Sequence, residues 1–456
     1  MCVHDHNALP APDSALARRS VLAGAAALAG LGVLGVPSAS AAVPALAAPA
    51  AGAAAASAPS GRPSAPGYPG SAPETRPLVI EGGTLVDPVT GDATADAVVV
   101  LDGGRVVAAG DRDATRKAVA GVAGRADVVD AAGRFVVPGL VDAHVHANAL
   151  EDARLILHNG ATTVRSGSSS FYQDIALAAL PEWAPGLSPR MHPAGLFVSP
   201  ELGDSVLADP ELAPLAALTD GVREEKALAH LTGVNRKRGA TVIKTRANPR
   251  AGLPEQDPLE LVYGEEQLAA IVRAAKGAGV LCHSYSAEGI AGAVRAGVRS
   301  IEHGVFVDGA TLADMAARGT YFTPTLAGIA SMQGSADPVL AERGREYAPV
   351  LREAVRAAAD AGVGVVAGTD SFGTDVTPIG TEARALADAG LPALEALRSV
   401  TTRPAALLGV EREVGRLVKG AVADVVLLDS DPLASAAALE QVSAVIAQGR
   451  VVRNDG

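Results

Sequence analysis

A (β/α)₈ barrel of the TIM type, carrying a small β-sandwich, is the fold class this sequence predicts. Three observations point to it. Residues 138–400 alternate short apolar runs with helical patterns, and eight such runs over about 260 residues is the size of that barrel. Four of the chain's nine histidines, with one lysine and one aspartate, stand at the ends of those runs. Valine-rich β patterns with glycine turns occupy both flanks of this region in the same style.

Taken in order, the N-terminus reads as an address label. Arg18 and Arg19 precede SVLAGAAALAGLGVLGV, which is too short and too rich in small residues for a good membrane span. Ala39-Ser40-Ala41 fits an A-x-A cleavage site. Residues 1–41 therefore resemble a twin-arginine export signal, which implies a secreted or extracytoplasmic protein. A general secretory signal with two incidental arginines, or an uncleaved anchor, is the alternative. No stable membrane association is expected once the signal is removed. Residues 42–76 are almost wholly Ala, Pro, Ser and Gly and cannot bury enough apolar surface to order, so they read as a disordered linker.

PLVIEGGTLVD, AVVVLDGGRVVAAG and ADVVDAAGRFVVPG are three β-rich stretches within 77–137. ADVVLLDSDP and VSAVIAQGRVVRNDG answer them within 401–456, and GRVV recurs at 104–107 and 449–452. Neither end holds enough strands for a stable sheet alone. Together they predict one β-sandwich built from both termini. Between them, the barrel strands read as LVDAH, TTVRS, RMHPAGLFV, TVIKT, VLCHSY, RSIEH, TYFTPTL and VGVVAGT. A doubly wound open sheet is the alternative, but no G-x-G-x-x-G follows an early strand.

Composition narrows the partners. The formal net charge of −12 argues against nucleic acid, whose binders need a basic face. The hydrophobic content of 48% is high, and most of the excess is alanine, much of it in the first sixty residues. With Cys2 in the segment expected to be removed, Cys282 stands alone and reads as packing. A small-molecule substrate is expected; homo-oligomer formation is left open.

The candidate site follows from alternation. His144 and His146 share one face of the first barrel strand and can present both imidazoles to one metal. Lys244 lies in an apolar run, where an inward ammonium is costly unless paired or modified. Carboxylation by CO₂ would make it a carbamate anion able to bridge two cations; a salt-bridged lysine is the alternative. His283 and His303 end the fifth and sixth strands and could hold a second metal. Asp370 ends the eighth, where a carboxylate can bind the metal weakly and shuttle a proton. Its alternative is a helix N-cap.

These motifs carry a specific resemblance. VVPGLVDAHVH, NGATTVR, GATVIKT, CHSYSAEGIAGAVRAGVRSIEHG, AGVGVVAGTD and RLVKGAVADVVLLDSDP together resemble the amidohydrolase superfamily, in its prolidase-like and imidazolonepropionase-like branch. The resemblance covers most of residues 77–456. It implies a binuclear, usually zinc, centre with His144, His146 and Asp370 on one divalent ion, His283 and His303 on the other, and carboxylated Lys244 bridging. It also implies Tyr285, of the H-x-Y pattern, as a catalytic group at the substrate carbonyl. Three departures touch substrate identity: Ser166 where the family often has aspartate, SPELGD in place of GGHGD, and TRANPR in place of a Ser-Gly-Gly loop.

The function expected from this is hydrolysis of an amide, in a dipeptide or N-acyl amino acid, by metal-activated water. Arg246, two residues beyond Lys244, is the first candidate to hold a substrate carboxylate and Arg165 the second; a salt bridge from Arg246 to Glu255 or Asp257 is the bland alternative. Lactone or phosphotriester hydrolysis competes within the class. Deamination ranks lower, because Glu288 falls five residues after His283, in a helix. A non-catalytic scaffold protein is the second class, disfavoured because all six ligand positions are filled.

Overall fold

The computed structural model describes residues 76–455. The export signal expected at 1–41 lies outside the described residues, as does the linker expected at 42–76 except for Arg76. The strands are β1 (Leu78–Val86), β2 (Ala93–Asp102), β3 (Arg105–Gly110), β4 (Asp127–Asp130), β5 (Phe135–Pro138), β6 (Leu140–His146), β7 (Ala161–Ser166), β8 (Arg190–His192), β9 (Val242–Arg246), β10 (Gly279–Ser284), β11 (Ser300–His303), β12 (Tyr321–Thr323), β13 (Ser371–Phe372), β14 (Val425–Leu428), β15 (Val442–Ala447) and β16 (Arg450–Asn454).

The terminal segments form one mixed sheet rather than the two-sheet sandwich expected. Its ladder runs β16-β15-β14-β5-β1-β2-β3, with β4 pairing β1 as the eighth strand. β5 and β14 pair directly, so strands from both ends share one ladder. The sheet then curls on itself: Val106 N donates to Ala421 O at 2.8 Å and Ala423 N to Gly104 O at 3.0 Å. Leu78, Ile80, Val99, Val136, Val425, Leu427 and Ile446 belong to the core that this curl encloses. The recurring GRVV has a local cause. Gly103–Gly104 and Gln448–Gly449 all have positive φ, as two-residue hairpin turns require, and RVV opens each return strand. The range 401–456 is not all sheet, for it begins with helix Thr402–Leu408 and reaches β14 only at Val425.

The central region holds two four-stranded sheets, β13-β6-β7-β8 and β12-β11-β10-β9. Their pairings are parallel. β6, β7 and β9 are buried at every position, as parallel strands covered on both faces must be. The ladder is not continuous between the sheets; isolated parallel bridges Val198↔Thr245 and Phe322↔Val365 tie β9 to the segment after β8 and β12 to the segment before β13. Two expected strands are therefore short. RMHPAGLFV stops at His192, where Pro193 offers no N–H. VGVVAGT keeps only the Val365 bridge, although Ala143 N still donates to Ala367 O at 3.0 Å. Capped helices return the chain between strands: Ser286 caps Ala287–Ala296 at its start and left-handed Gly297 ends it.

Candidate metal centre

All nine residues singled out in the sequence are buried: His144, His146, Lys244, His283, Tyr285, His303, Asp370, Arg165 and Arg246. His144, His146 and Asp370 bring one ligand atom each within 4.8 Å of the others. Asp370 Oδ1 lies 3.1 Å from His146 Nε2 and 3.5 Å from His144 Nε2. Asp370 caps no helix, since the next one starts at Ile379.

Each imidazole is oriented from behind. His146 Nδ1 faces the Ser168 carbonyl at 3.0 Å, and His144 Nδ1 faces Glu302 Oε2 at 2.7 Å. Such partners fix the tautomer in which Nε2 is unprotonated and able to ligate a cation. The donor set thus fits a divalent metal held by two Nε2 atoms and a carboxylate oxygen. Space is shaped for the rings too. A Cβ on Gly167 would come within 2.7 Å of both imidazoles, and one on Gly368 within 2.7 Å of the His144 Cβ.

Glu302 is itself clamped by Arg165, whose terminal nitrogen donates to both carboxylate oxygens at 2.9 Å. Burial alone would raise the Glu302 carboxyl; Arg165 and His144 outweigh it and hold it below the usual range. Arg165 also donates to Ala143 O at 2.5 Å and Ser300 Oγ at 2.7 Å. This corrects the reading of Arg165 as a substrate-binding residue. Its donors are spent beneath the site, where it holds the carboxylate that orients His144.

The second half of the site lies alongside, with His144 and His303 ring centroids 5.6 Å apart. His283 Nδ1 and His303 Nε2 face each other at 2.9 Å. Their other nitrogens meet the Pro249 carbonyl at 3.0 Å and Thr325 Oγ1 at 2.7 Å. Tyr285 stacks on His303 with centroids 5.1 Å apart. Lys244 Nζ is 2.9 Å from His144 Nε2. Arg246 pairs with Glu201, and not with Glu255 or Asp257. Burial pushes the Cys282 thiol up to about 12, in keeping with packing. Glu288 is exposed on its helix, which counts against a deaminase acid–base role.

Sequence reasoning missed Glu302, although it sits in RSIEHG beside a predicted ligand. Period-two alternation puts Glu302 and His303 on opposite faces. His303 instead has φ +69°, and this left-handed residue turns its ring back to the side Glu302 already serves. Asp370 and Thr325 are also left-handed, at φ +54° and +52°. Such strain clusters at functional sites.

Fold and site together define a metal-binding hydrolase scaffold. The amidohydrolase family model matches residues 135–452, and the chain belongs to that family. It is 31% identical to an uncharacterized protein of Mycobacterium tuberculosis over 352 residues, 72% of this chain and 88% of that one. It is 28% identical to the ochratoxinase of Aspergillus niger over 239 residues, 50% of this chain and 48% of that one. Among solved structures, a prolidase complexed with N-methylphosphonate-L-proline superposes with a TM-score of 0.70 at 29% identity, covering 83% of this chain and 100% of that one.

Proposed function

We propose that this protein is an exported, binuclear metal-dependent amidohydrolase that cleaves the amide of a dipeptide or N-acyl amino acid, on a closed (β/α)₈ barrel. The carrying observation is the buried convergence of His144, His146 and Asp370 with both imidazoles oriented from behind. The likeness to a prolidase and an ochratoxinase supports an amide as the bond. His283 and His303 would hold the second ion. Lys244 supports a bridging role, because a buried ammonium facing His144 Nε2 would repel a cation there, whereas a carbamate would bind it.

Two divalent cations, zinc in this reading, supply Lewis acidity toward water and the carbonyl oxygen. The chain's residues do the rest. Asp370 takes the proton of the attacking water at its carboxylate and passes it to the leaving nitrogen. Tyr285 donates to the oxygen where negative charge develops. Arg246 holds the substrate's carboxylate and so aligns the scissile bond.

The test joins metal analysis to a screen of dipeptides, N-acyl amino acids, lactones and phosphotriesters. Close to two metal equivalents and turnover of an amide are expected. Asp370→Asn should lower kcat by about 10²–10⁴-fold. Turnover of lactones or phosphotriesters only, or wild-type kcat in the variant, refutes the reading.

A further inference from the structure

Arg246 and Arg250 converge on Phe197. Both guanidinium carbons lie 5.6 Å from its ring centroid, and Lys244 Nζ lies 5.9 Å from it. Lys244 Nζ also touches His144 Nε2, so this group stands one aromatic ring from the candidate metal centre. Phe197, Arg246 and Arg250 are 1%, 2% and 4% exposed. A cation over an aromatic face is attracted by the ring quadrupole. Desolvating a guanidinium costs more than a ring contact returns, so Phe197 alone does not explain the burial of Arg246.

The Arg246 fork is half used. One terminal nitrogen pairs with Glu201, while the buried Nε has no hydrogen-bond partner. A carboxylate in the favoured two-point geometry engages two guanidinium nitrogens. Glu201 is also unlike its partner in burial: its side chain is 49% exposed and that of Arg246 is 3%. It lies in SPELGD, on the segment after β8, while Arg246 and Arg250 lie in TRANPR.

We propose that Arg246, Arg250 and Phe197 form an anion subsite for a substrate carboxylate, and that Glu201 occupies it as a placeholder the substrate displaces. The inference rests on the amide-substrate reading and adds to it an internal competitor. A ligand carboxylate wins by filling the Nε that Glu201 leaves bare. A neutral ligand has nothing to exchange for the Glu201 pair, so the device selects for charge as well as shape. Self-occupation lowers apparent affinity by the fraction of protein in which the fork is open.

Calorimetric binding tests this without turnover, using as probes levulinate and levulinamide, whose ketone stands where the scissile amide would be. The acid should bind the wild type and the amide should not. Glu201→Gln should bind the acid about tenfold more tightly, as expected if the open form is roughly one molecule in ten. Arg246→Met should lose acid binding. Glu201 is half-exposed, so Glu201→Gln keeps the test decisive even if Arg246→Met misfolds. Unchanged or weaker acid binding in Glu201→Gln overturns the placeholder. Equal binding of acid and amide, or no acid binding by either wild type or Glu201→Gln, overturns the subsite. Absence of amide turnover with acid-selective binding would instead refute only the reaction.

Discussion

The two halves of the candidate centre are held by different means. On the side of β6, His144 is oriented by Glu302, a carboxylate that comes from β11 and is clamped by Arg165 of β7. On the side of β10 and β11, His283 is oriented by the carbonyl of Pro249 and His303 by the hydroxyl of Thr325. Those partners lie beyond the strands. In one half, His144 is therefore fixed by charge and strand register inside the core, while His146 rests on the Ser168 carbonyl just after β7; in the other, both histidines depend on the placement of connecting segments. Strand-borne parts give precision, whereas connecting segments are where substrate contacts can change.

The comparison predicts that damage can be confined to one half. Gly167→Ala should act on the first. Its Cβ would meet His144 Nε2 and His146 Cε1 at 2.7 Å, so at least one ring must move. A displacement near 1 Å can cost about 10²-fold in rate. We expect loss of about one metal equivalent, with kcat lowered by that order, read by metal analysis and steady-state kinetics. If both equivalents vanish together, the halves are one cooperative unit and the contrast fails.

Much of this site was legible because strand ends carry it. His144, His146, Lys244 and His283 each close an apolar run, and alternation gave their faces. Alternation failed where the chain leaves β geometry. His303 turns in through a left-handed φ, so nothing in RSIEHG announced that Glu302 would share its side. Arg165 read as a candidate for the substrate carboxylate because its place at the end of a strand was visible and its partners Glu302 and Ser300, more than a hundred residues away, were not. The partner of Arg246 was sought in the loop that follows it. There Asp257 is engaged in capping Leu259 N, at 2.9 Å, while Glu201 arrives from the segment after β8. The terminal sheet showed the same limit: strands were readable at both ends, but not that β5 and β14 would join them into one ladder.

The second half should yield to changes well outside it. Arg343, on helix Pro338–Asp360, donates to four carbonyls of the segment after β9: Ala251 and Leu253 at 2.8 Å, Gln256 at 2.5 Å and Pro254 at 3.4 Å. That segment begins with the Pro249 carbonyl behind His283. Outer partners of metal ligands are worth roughly 10–100-fold in affinity, and Arg343 acts one step further out, so about tenfold is expected. Arg343→Ala should weaken one metal equivalent and leave the other, measured by competition with a chelator. Equal weakening of both would show that the segment supports the whole site.

The smallest effect is expected at Glu382, and it carries a pH signature. This buried carboxylate accepts Leu326 N at 2.9 Å and Ala327 N at 2.7 Å, capping helix Leu326–Ser331 from a distance. Thr325 would ordinarily supply that cap, but its hydroxyl serves His303. Burial pushes the Glu382 carboxyl up to about 8 from 4.5, although the two N–H donors act to lower it. The folded state therefore holds this proton more tightly than the unfolded chain. Its contribution to stability is full below about pH 4.5 and is lost as pH rises through about 8. Glu382→Gln keeps an acceptor for the helix and removes the ionisation. Chemical denaturation at pH 5 and pH 9 should show wild type losing more stability than the variant between the two. If the two lose the same amount, Glu382 does not titrate in that window, and its ionised form is already accommodated by the helix terminus.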